Sequence, residues 1–459
     1  MNVPMKAILA GILCLLLIGV AGSASAKVSA QEAEQLKTTL TPFGAERAGN
    51  ADGTIPAWEG GYTTVPDGFV NGGKRGDLFP EDKVQFKITP QNMDQYADKL
   101  TEGTKALLKK YPDTFYINVY QTRRTAAAPQ WAYDEVYKNA TRSYVEGSDV
   151  KDVYGGPPFP IPKSGIEAIW NHQLRYRPAS WHFHNDGLLG TAAGKLVHLN
   201  TSEAKQTMPI FIKGKTLEDY KKEWDGEFWL LRLKNTAPPV QADVAIVGRE
   251  NLSGNKTVSY LYLSGQRRVR RLPISCCDVP STPTGGMATY DETSVFTGAM
   301  AMALHDWKIV GKKEMYIPYN CNKYNDIPLR EAVTPRHLHP EAVRYELHRV
   351  WVVEANLKKG KRHQHPQQVY YLDEDTWTAV LSDRYDANGD LWRCGYQLPM
   401  VLPDVPCVNG LPFGFYDLQA NVLAAVDNYN DKDEQFRIQD PPYPNKDFTP
   451  TALQRESVR

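Results

Sequence analysis

Histidines spaced as His-x-His are the first residues of this sequence that could do chemistry. Six of the ten histidines form such pairs: His182 with His184, His337 with His339, and His363 with His365. In a β-strand the two members of a pair share a face, which suits metal ligation. Turn residues and prolines around the second and third pairs favour hydrogen-bonding or solvent-facing histidines instead. We therefore predict no metal or other cofactor, and keep a metal-assisted hydrolase using His337, His339 and His363 as an alternative function.

Other catalytic signatures are weak in the sequence. We find no convincing Gly-x-Ser-x-Gly nucleophile turn, and the glycine-rich stretches lack the lysine of a phosphate-binding loop. Three consecutive carboxylates, Asp373, Glu374 and Asp375, fall in a predicted hairpin turn, where solvation is the simpler explanation. These observations favour a protein that is not an enzyme.

The basic stretch at 267–271 could contact an anion. Strand alternation sends Arg267 and Arg271 to one face and Arg268 and Arg270 to the other, so this strand is not expected to be fully buried. One interpretation is an edge strand that its charge protects against aggregation. The other is the polar mouth of a binding site, which would meet an anionic head group or an acidic partner through bidentate hydrogen bonds. Both interpretations stay open.

Five of the six cysteines lie in the second half of the chain: Cys276, Cys277, Cys321, Cys394 and Cys407. In an oxidising compartment we expect two disulfides and one unpaired thiol. Cys394 is predicted to pair with Cys407, because the segment between them can loop back. Cys321 is predicted to pair with Cys276 or Cys277, which are adjacent and point in different directions in an extended chain. A disulfide between Cys276 and Cys277 is the main alternative.

The N-terminus has the features of a secretory signal peptide. Lys6 is followed by an apolar run over residues 7–20, and Ala-Ser-Ala at 24–26 forms a small-residue cleavage site. We predict a signal peptide over residues 1–26 and a mature chain that begins at Lys27 without an acyl group, which the mass of the intact protein would check. The expected location is the periplasm, with association to the outer membrane left open. Acidic and basic side chains number 53 each, so the charge balance predicts no nucleic-acid partner.

Hydrophobic periodicity predicts the elements that must position these residues. Residues 27–80, much of which is rich in Gly, Pro, Asn and Asp, are predicted to form an extended N-terminal arm. One amphipathic helix is predicted from Tyr96 to Tyr111, and strand patterns separated by short turns dominate from about residue 190 onward. Strands that follow one another through short turns predict a single, mainly β domain over 81–459, with a curved antiparallel sheet and a few helices.

Apolar residues at alternate positions give this predicted sheet one apolar face. The positions occur on three predicted strands: Trp229 and Leu231, Tyr260 and Tyr262, and Trp351 and Val353. A curved sheet could turn such a face around a ligand, although packing in a core is the alternative for any one of these side chains. We predict that the six residues line a cavity for a hydrophobic molecule.

Several longer stretches resemble a known family. LTPFGAERAGNADGTIPAWEGG, at 40–61, is similar to the opening of a large proteobacterial family of uncharacterised envelope proteins, DUF1329. HDWKIVGKKEMYIPYN at 305–320, RHLHPEAVRYELHRVWVVEANLKKGKRH at 336–363 and YLDEDTW at 371–377 resemble the same family. The SCCD sequence at 275–278 departs from the family pattern. The resemblance extends over nearly the whole chain after the predicted signal peptide.

This resemblance implies a fold and a function. The fold would be that of the Lol-type lipoprotein carriers, an open antiparallel half-barrel with helices covering its mouth. The function would be periplasmic binding or transfer of a lipid or another hydrophobic ligand. A resistance-nodulation-division-type exporter and an outer-membrane protein are the partners that the resemblance implies. A structural adaptor of an envelope export complex is a further alternative.

Overall fold

A computed structural model describes residues 28–272, 276–281, 284–295 and 298–457. The predicted signal peptide and the predicted start at Lys27 lie outside these residues. The strands in the described residues are β1 (Phe86–Ile88), β2 (Ile117–Val119), β3 (Tyr144–Glu146), β4 (Asp149–Lys151), β5 (Ser180–Gly190), β6 (Leu196–Thr207), β7 (Glu227–Ala237), β8 (Ala245–Asn251), β9 (Val258–Leu263), β10 (Arg268–Leu272), β11 (His305–Pro318), β12 (Tyr345–Leu357), β13 (Gln367–Asp373), β14 (Ala379–Tyr385), β15 (Leu391–Leu402), β16 (Cys407–Asp417), β17 (Val422–Asn428) and β18 (Phe436–Ile438).

Sixteen of these strands belong to one large sheet, and β3 and β4 form a separate hairpin. Strands β5 to β10 pair in chain order, as do β12 to β17, and the two series join where β17 pairs with β5. Among the described residues the pairs are antiparallel except for β2 and β12, which meet in parallel at Val119 and Tyr345. The path from β1 to β10 does not close on itself. The predicted fold class, a mainly β protein with an open antiparallel sheet and a few helices, is confirmed.

The alternation of side chains along β7 shows how the sequence buries both faces of this sheet. Trp229, Leu231 and Leu233 belong to the apolar cluster on one face, while Leu230 belongs to a cluster on the other. Successive residues of a strand point to opposite faces, so a strand that is apolar at both sets of positions must be covered on both sides.

Short helices supply that cover. They are α1 (Ala30–Ala33), α2 (Glu102–Lys110), α3 (Gln130–Arg142), α4 (Gly165–Gln173), α5 (Leu217–Trp224), α6 (Gly298–Ala301), α7 (Leu329–Ala332) and α8 (Pro450–Ser457), with single 3₁₀ turns at Glu34–Lys37, Met93–Lys99, Pro209–Phe211, Gly254–Lys256, Ser264–Gln266, Tyr290–Val295, Cys321–Asp326, Pro340–Ala342 and Asn445–Phe448. Helices α3 and α4 contribute to the core on one face, α2 to the core on the other, and α8 to a smaller cluster. Within the described part of the chain, no helix has both the length and the apolar character needed to cross a membrane.

The predicted helix from Tyr96 to Tyr111 is two elements in the structure. A 3₁₀ helix ends at Lys99, Leu100 is extended, and α2 begins after Thr101. The Thr101 hydroxyl accepts a hydrogen bond of 3.0 Å from the Thr104 backbone N–H, which caps a new helix start. The prediction of one continuous helix is wrong because this threonine favours a helix N-terminus over a helix interior.

The N-terminal residues lie against the sheet domain and are largely without regular structure. The Trp377 indole donates a 2.8 Å hydrogen bond to the Phe43 carbonyl, and the Trp58 indole donates one of 2.8 Å to the Ala126 carbonyl. Both contacts join residues of 28–80 to side chains or backbone of the later chain. The division into an arm over 27–80 and a domain over 81–459 stays a prediction.

Candidate functional site

A cavity opens on one face of the sheet. Its walls come from β5 to β9, from β16 and β17, and from the segment that leads from α4 into β5. The space between its walls, including the open solvent at its mouth, is about 1230 Å³. Its apolar lining is Trp181, Phe183, Trp229, Leu231, Leu233, Ile246, Met300, Leu411, Phe413 and Val426. Seven strands therefore contribute to one concave surface.

The chain between β10 and β11 covers this cavity. We call its described residues 276–281, 284–295 and 298–300 the covering segment, and the space is lined by its residues Cys276, Cys277, Tyr290 and Met300. Its 3₁₀ turn lies against β14, β15 and β16, and α6 lies against β8, so the segment crosses the concave face.

Buried ion pairs hold the covering segment to the sheet. The Asp291 carboxylate lies 2.9 Å from the His363 imidazole and 3.3 Å from the Arg384 guanidinium, and Glu292 lies 2.8 Å from Arg393. Burial alone would raise the pKa of Asp291, but Arg384 and His363 hold it below its usual range. A carboxylate that stays charged in a buried site must keep its partners, so these pairs fix one end of the cover.

Two buried arginines, Arg175 and Arg177, lie at the cavity wall after helix α4. Arg175 donates a 2.6 Å hydrogen bond to the His172 carbonyl, and Arg177 donates one of 3.2 Å to the Gln173 carbonyl. Burial lowers the pKa of both guanidinium groups, to about 10 for Arg177, and the proximity of Arg177 lowers the pKa of Arg175 further. The cavity therefore has a cationic region.

Two carboxyl groups, Glu250 and Asp427, also face the cavity. Burial raises the pKa of each to about 7. Glu250 accepts a 3.3 Å hydrogen bond from the Thr257 hydroxyl, which lowers its pKa by a smaller amount. The lining of the cavity therefore contains acidic as well as basic side chains.

The structure divides the six residues predicted to line a cavity. Trp229 and Leu231 do line it. Tyr260 and Tyr262 belong instead to the cluster on the opposite face, around Leu453 of helix α8. Tyr260 and Tyr262 therefore do not share one surface with Trp229.

The pair on β12 belongs to the same apolar core as Trp229 but does not line the cavity. The Trp351 ring stacks on the Trp377 ring with centroids 6.1 Å apart, and the Lys312 ammonium lies 4.9 Å from the Trp351 ring centroid. Val353 is fully buried in the same core. Core packing, the alternative considered for each apolar side chain, accounts for both residues.

The four arginines at 267–271 lie at the edge of the sheet. Strand β10 is the last strand of its path and pairs only with β9 among the described strands. Arg268, Arg270 and Arg271 are exposed on it, and Arg267 occupies the preceding turn with φ of 50°. None of the four lines the cavity. Their position fits the interpretation as a charged edge strand.

The three histidines of the hydrolase alternative do not converge. His337 packs against Tyr111 and Phe115 and lies 3.0 Å from the Thr114 hydroxyl, whereas His363 pairs with Asp291. The His339 imidazole accepts a hydrogen bond from the Glu341 backbone N–H. In the described residues, the groups with metal-ligand spacing are His182, His184 and Glu434, and His348, Asp373 and Asp375. Neither group contains a residue of that alternative.

The predicted disulfides are wrong. Cys276 is bonded to Cys277, and Cys321, Cys394 and Cys407 are free and buried. The register of the β15–β16 hairpin places Cys394 opposite Tyr416 and Cys407 opposite Leu402. Cys394 and Cys407 are thus at opposite ends of the hairpin and in cores on opposite faces of the sheet, where no bond can join them.

The acidic turn at 373–375 is not solvated. Asp373, Glu374 and Asp375 are all buried, and the Arg124 guanidinium holds Asp375 in a bidentate pair at 2.6 and 2.9 Å. Glu374 lies 3.0 Å from Lys312. The prediction of a solvent-facing turn failed because its cationic partners are distant in sequence.

Sequence reasoning missed the residues that give the cavity its polarity. Arg175 and Arg177 stand between a helix pattern and a strand, in LRYRPAS, which reads as an ordinary polar connection. An Arg-x-Arg spacing directly after an apolar helix is a weak signal of a helix C-terminal cap. Glu250 and Asp427 have no distinguishing pattern around them.

These features define a mainly β protein with an open sheet around a covered apolar cavity. The chain belongs to the family described as "protein of unknown function (DUF1329)", whose model matches residues 87–454. An uncharacterized protein of Pseudomonas aeruginosa is 37% identical to it over 462 residues, which cover 98% of each chain. The family predicted from the sequence motifs is confirmed.

Solved structures with a similar fold are more distant in sequence. A putative outer membrane lipoprotein-sorting protein domain from Vibrio parahaemolyticus has a TM-score of 0.41 at 13% identity and covers 60% of this chain and 92% of its own. A DUF1329 family protein from Desulfovibrio piger has a TM-score of 0.42 at 11% identity, with 63% and 97% covered. A LolA superfamily protein from Nitrosomonas europaea has a TM-score of 0.35 at 10% identity, with 63% and 98% covered.

Proposed function

We propose that this protein binds a lipid or another hydrophobic molecule in the cavity and carries it between components of the cell envelope, without catalysing a reaction. The observation that supports the proposal is the covered cavity with aromatic and aliphatic walls. Shielding an apolar molecule from water is worth about 25 cal/mol for each Å² of its surface. A concave apolar wall under a separate covering segment provides that shielding and leaves a route for release.

The setting that we propose is the periplasm, after removal of the predicted signal peptide. The ligand would be exchanged with a resistance-nodulation-division-type exporter or an outer-membrane protein, the partners that the family resemblance implies. A carrier between two membranes must release its ligand, and this suits a cavity that is covered by a short segment and not sealed within a core.

The proposal is tested by substitutions that place larger side chains in the cavity. Leu231→Trp and Leu233→Trp add bulk to two lining residues that lie at alternate positions of β7. We expect each variant to bind the uncharged fluorescent probe N-phenyl-1-naphthylamine about tenfold more weakly, a loss of about 1.4 kcal/mol. Val197→Trp is the matched control, because Val197 lies on the neighbouring strand β6 and is 46% exposed.

Binding is measured by titration of the probe into purified protein, with circular dichroism to show that each variant is folded. Unchanged affinity in both folded cavity variants would contradict the proposed site. Mass spectrometry of organic extracts from protein purified from the periplasm adds the natural ligand to the comparison. A folded wild-type protein that binds no probe and yields no lipid would contradict the proposed function.

A further inference from the structure

We propose that the natural ligand carries an anionic head group, a carboxylate or a phosphate, and that Arg175 and Arg177 bind it. The observation that carries the inference is a pair of buried guanidinium groups in the cavity wall that have no acidic partner in the described protein. The inference rests on the proposed function, because it names the chemical class of the molecule that would occupy the same cavity.

The two guanidinium groups are deeply buried. Arg175 is 2% exposed and Arg177 is 4% exposed. No carboxylate of the described residues forms an ion pair with either, and no carboxylate is among the charges that shift their pKa values. The charged neighbour of Arg175 is Arg177, which repels it. Arginine stays protonated in proteins, so two positive charges are buried in the cavity wall without a carboxylate partner among the described residues.

Other buried arginines of this protein are compensated. Five of them have a carboxylate oxygen within ion-pairing distance: Arg75 with Asp404, Arg124 with Asp375, Arg344 with Asp82, Arg349 with Glu374, and Arg384 with Asp291. The same sequence therefore supplies acidic partners where a buried guanidinium needs one for stability. Arg175 and Arg177 differ from these five in facing the cavity.

Unpartnered hydrogen-bond donors line the same cavity. Four buried N–H groups among the lining residues have no hydrogen-bond partner in the described protein: Nε of Arg175, Nε of Arg177, the indole Nε1 of Trp181 and the amide Nδ2 of Asn409. The lining also contains two unpartnered oxygens, those of Asn200 and Tyr290. An excess of donors beside two positive charges is suited to an acceptor that is negatively charged.

A structural role explains part of this arrangement. Helix α4 ends at Gln173, and the carbonyls of His172 and Gln173 are among the last of the helix, where cationic side chains bind favourably. Each arginine uses one terminal nitrogen for that contact. The Nε groups remain, and two full charges exceed the partial charge of about one half at a helix C-terminus. Capping therefore orients the guanidinium groups without neutralising them.

The cavity also separates the two ends of an amphiphile. The region around Leu231, Leu233 and Ile246 is apolar, whereas Arg175 and Arg177 come from the segment that leads into β5. An anionic head group at the arginines would leave its hydrocarbon chain against β7 and β8. A neutral hydrophobic ligand would leave Arg175 and Arg177 without a negatively charged partner.

The experiment compares one hydrocarbon chain with and without its charge. cis-Parinaric acid and its methyl ester are titrated into ligand-depleted mature protein at pH 8, and their fluorescence is followed. We expect the acid to bind at least about tenfold more tightly than the ester, as a charge-assisted hydrogen bond in a buried site allows. In the Arg175→Met/Arg177→Met double variant, the acid should lose this advantage while the ester binds as it does to wild type.

Arg455→Met is the matched control, because it also removes one positive charge but from the exposed face of α8. Its preference for the acid should equal that of wild type. Arg177→Lys, which keeps the charge, should retain most of the preference. If the double variant does not fold, the ratio of acid to ester binding in wild type and in Arg177→Lys still decides the question.

The outcomes separate the two proposals. Equal binding of acid and ester to wild type would overturn the head-group inference and leave the hydrophobic cavity in place. Binding of neither would contradict the proposed function as well. Displacement of the bound acid by oleate or by lysophosphatidic acid shows which anionic group is preferred. Equally strong displacement by zwitterionic lysophosphatidylcholine would count against the inference.

Discussion

Buried charge is compensated differently in two regions of the molecule. Around the turn at 373–375, Arg124 and Lys312 meet the carboxylates of Asp375 and Glu374, and the guanidinium of Arg124 also donates to the Glu46 carbonyl. At the cavity, Arg175 and Arg177 each donate a hydrogen bond to a backbone carbonyl. One region has its counter-charges within the chain, and the other leaves two cations facing an open space.

The difference between these two regions indicates which buried charges stabilise the folded protein. A buried ion pair is broken at high cost when one partner is removed, because the other charge remains in a dry site. An unpaired buried charge is already unfavourable, so its removal relieves a strain that the folded protein carries. Mutation of an arginine should therefore cost much more stability in the paired region than at the cavity.

The largest effect is expected at the paired region. Arg124→Met should lower the free energy of unfolding by about 3–5 kcal/mol, because Asp375 would remain buried without its bidentate partner. Arg124 also binds backbone carbonyls of residues 46 and 47, so the variant should loosen the N-terminal arm. Urea unfolding followed by circular dichroism measures the change.

Exposed Arg455→Met is the control for loss of a positive charge, and its stability should equal that of wild type within about 0.5 kcal/mol. Limited proteolysis would report loosening of the arm as faster cleavage before residue 80. A loss of less than about 1 kcal/mol in Arg124→Met would show that the paired region is not what stabilises this side of the sheet.

The same comparison shows how far the sequence could predict the molecule. Alternation in β7 and β12 predicted strands because local side-chain pattern and local backbone agree there. The burial of Asp375 could not be predicted, since Arg124 lies 251 residues away in sequence. Pairing of Cys394 with Cys407 failed for a related reason, because the hairpin register between them has no signal in their spacing.

Only the lining residues that alternate along a single strand could be predicted from the sequence. Trp229 and Leu231 were identified by their alternation on β7, and both line the cavity. Tyr260 and Tyr262 alternate equally well on β9 but face the cluster around α8. Alternation of side chains along a strand identifies the two faces of the sheet but not which of them is concave. Which face is concave depends on how seven strands curve together.

An intermediate effect is expected from the cavity carboxyl of Glu250. Burial raises the pKa of this group from 4.5 to about 7, so between those values the folded protein holds a proton that the unfolded chain has released. Stability should therefore fall as the pH rises from about 4.5 to about 7, and then level off, by on the order of 2 kcal/mol. Glu250→Gln should lose the part of this fall that Glu250 causes and keep any part caused by Asp427, so it should be more stable than wild type at pH 8 and similar to it at pH 4.

Unfolding free energies of ligand-free protein at four or five pH values measure the effect. Glu59→Gln is the control, because Glu59 is exposed and should leave the profile of wild type unchanged. Parallel profiles for wild type and Glu250→Gln would mean that this carboxyl does not carry an unfavourable charge in the cavity.

The smallest effect is expected at the unpaired arginines, and it is the one that separates the two regions. Arg177→Met removes a buried charge that has no carboxylate partner and one 3.2 Å hydrogen bond to the Gln173 carbonyl. Relief of the unpaired charge and of its repulsion with Arg175 opposes loss of that bond. The stability of ligand-free protein should therefore change by no more than about 1 kcal/mol, in either direction, by urea unfolding. Addition of cis-parinaric acid should then stabilise wild type more than the variant, because a ligand stabilises the folded state in proportion to its occupancy. A loss of unfolding free energy as large as that in Arg124→Met would instead mean that Arg177 stabilises the folded protein.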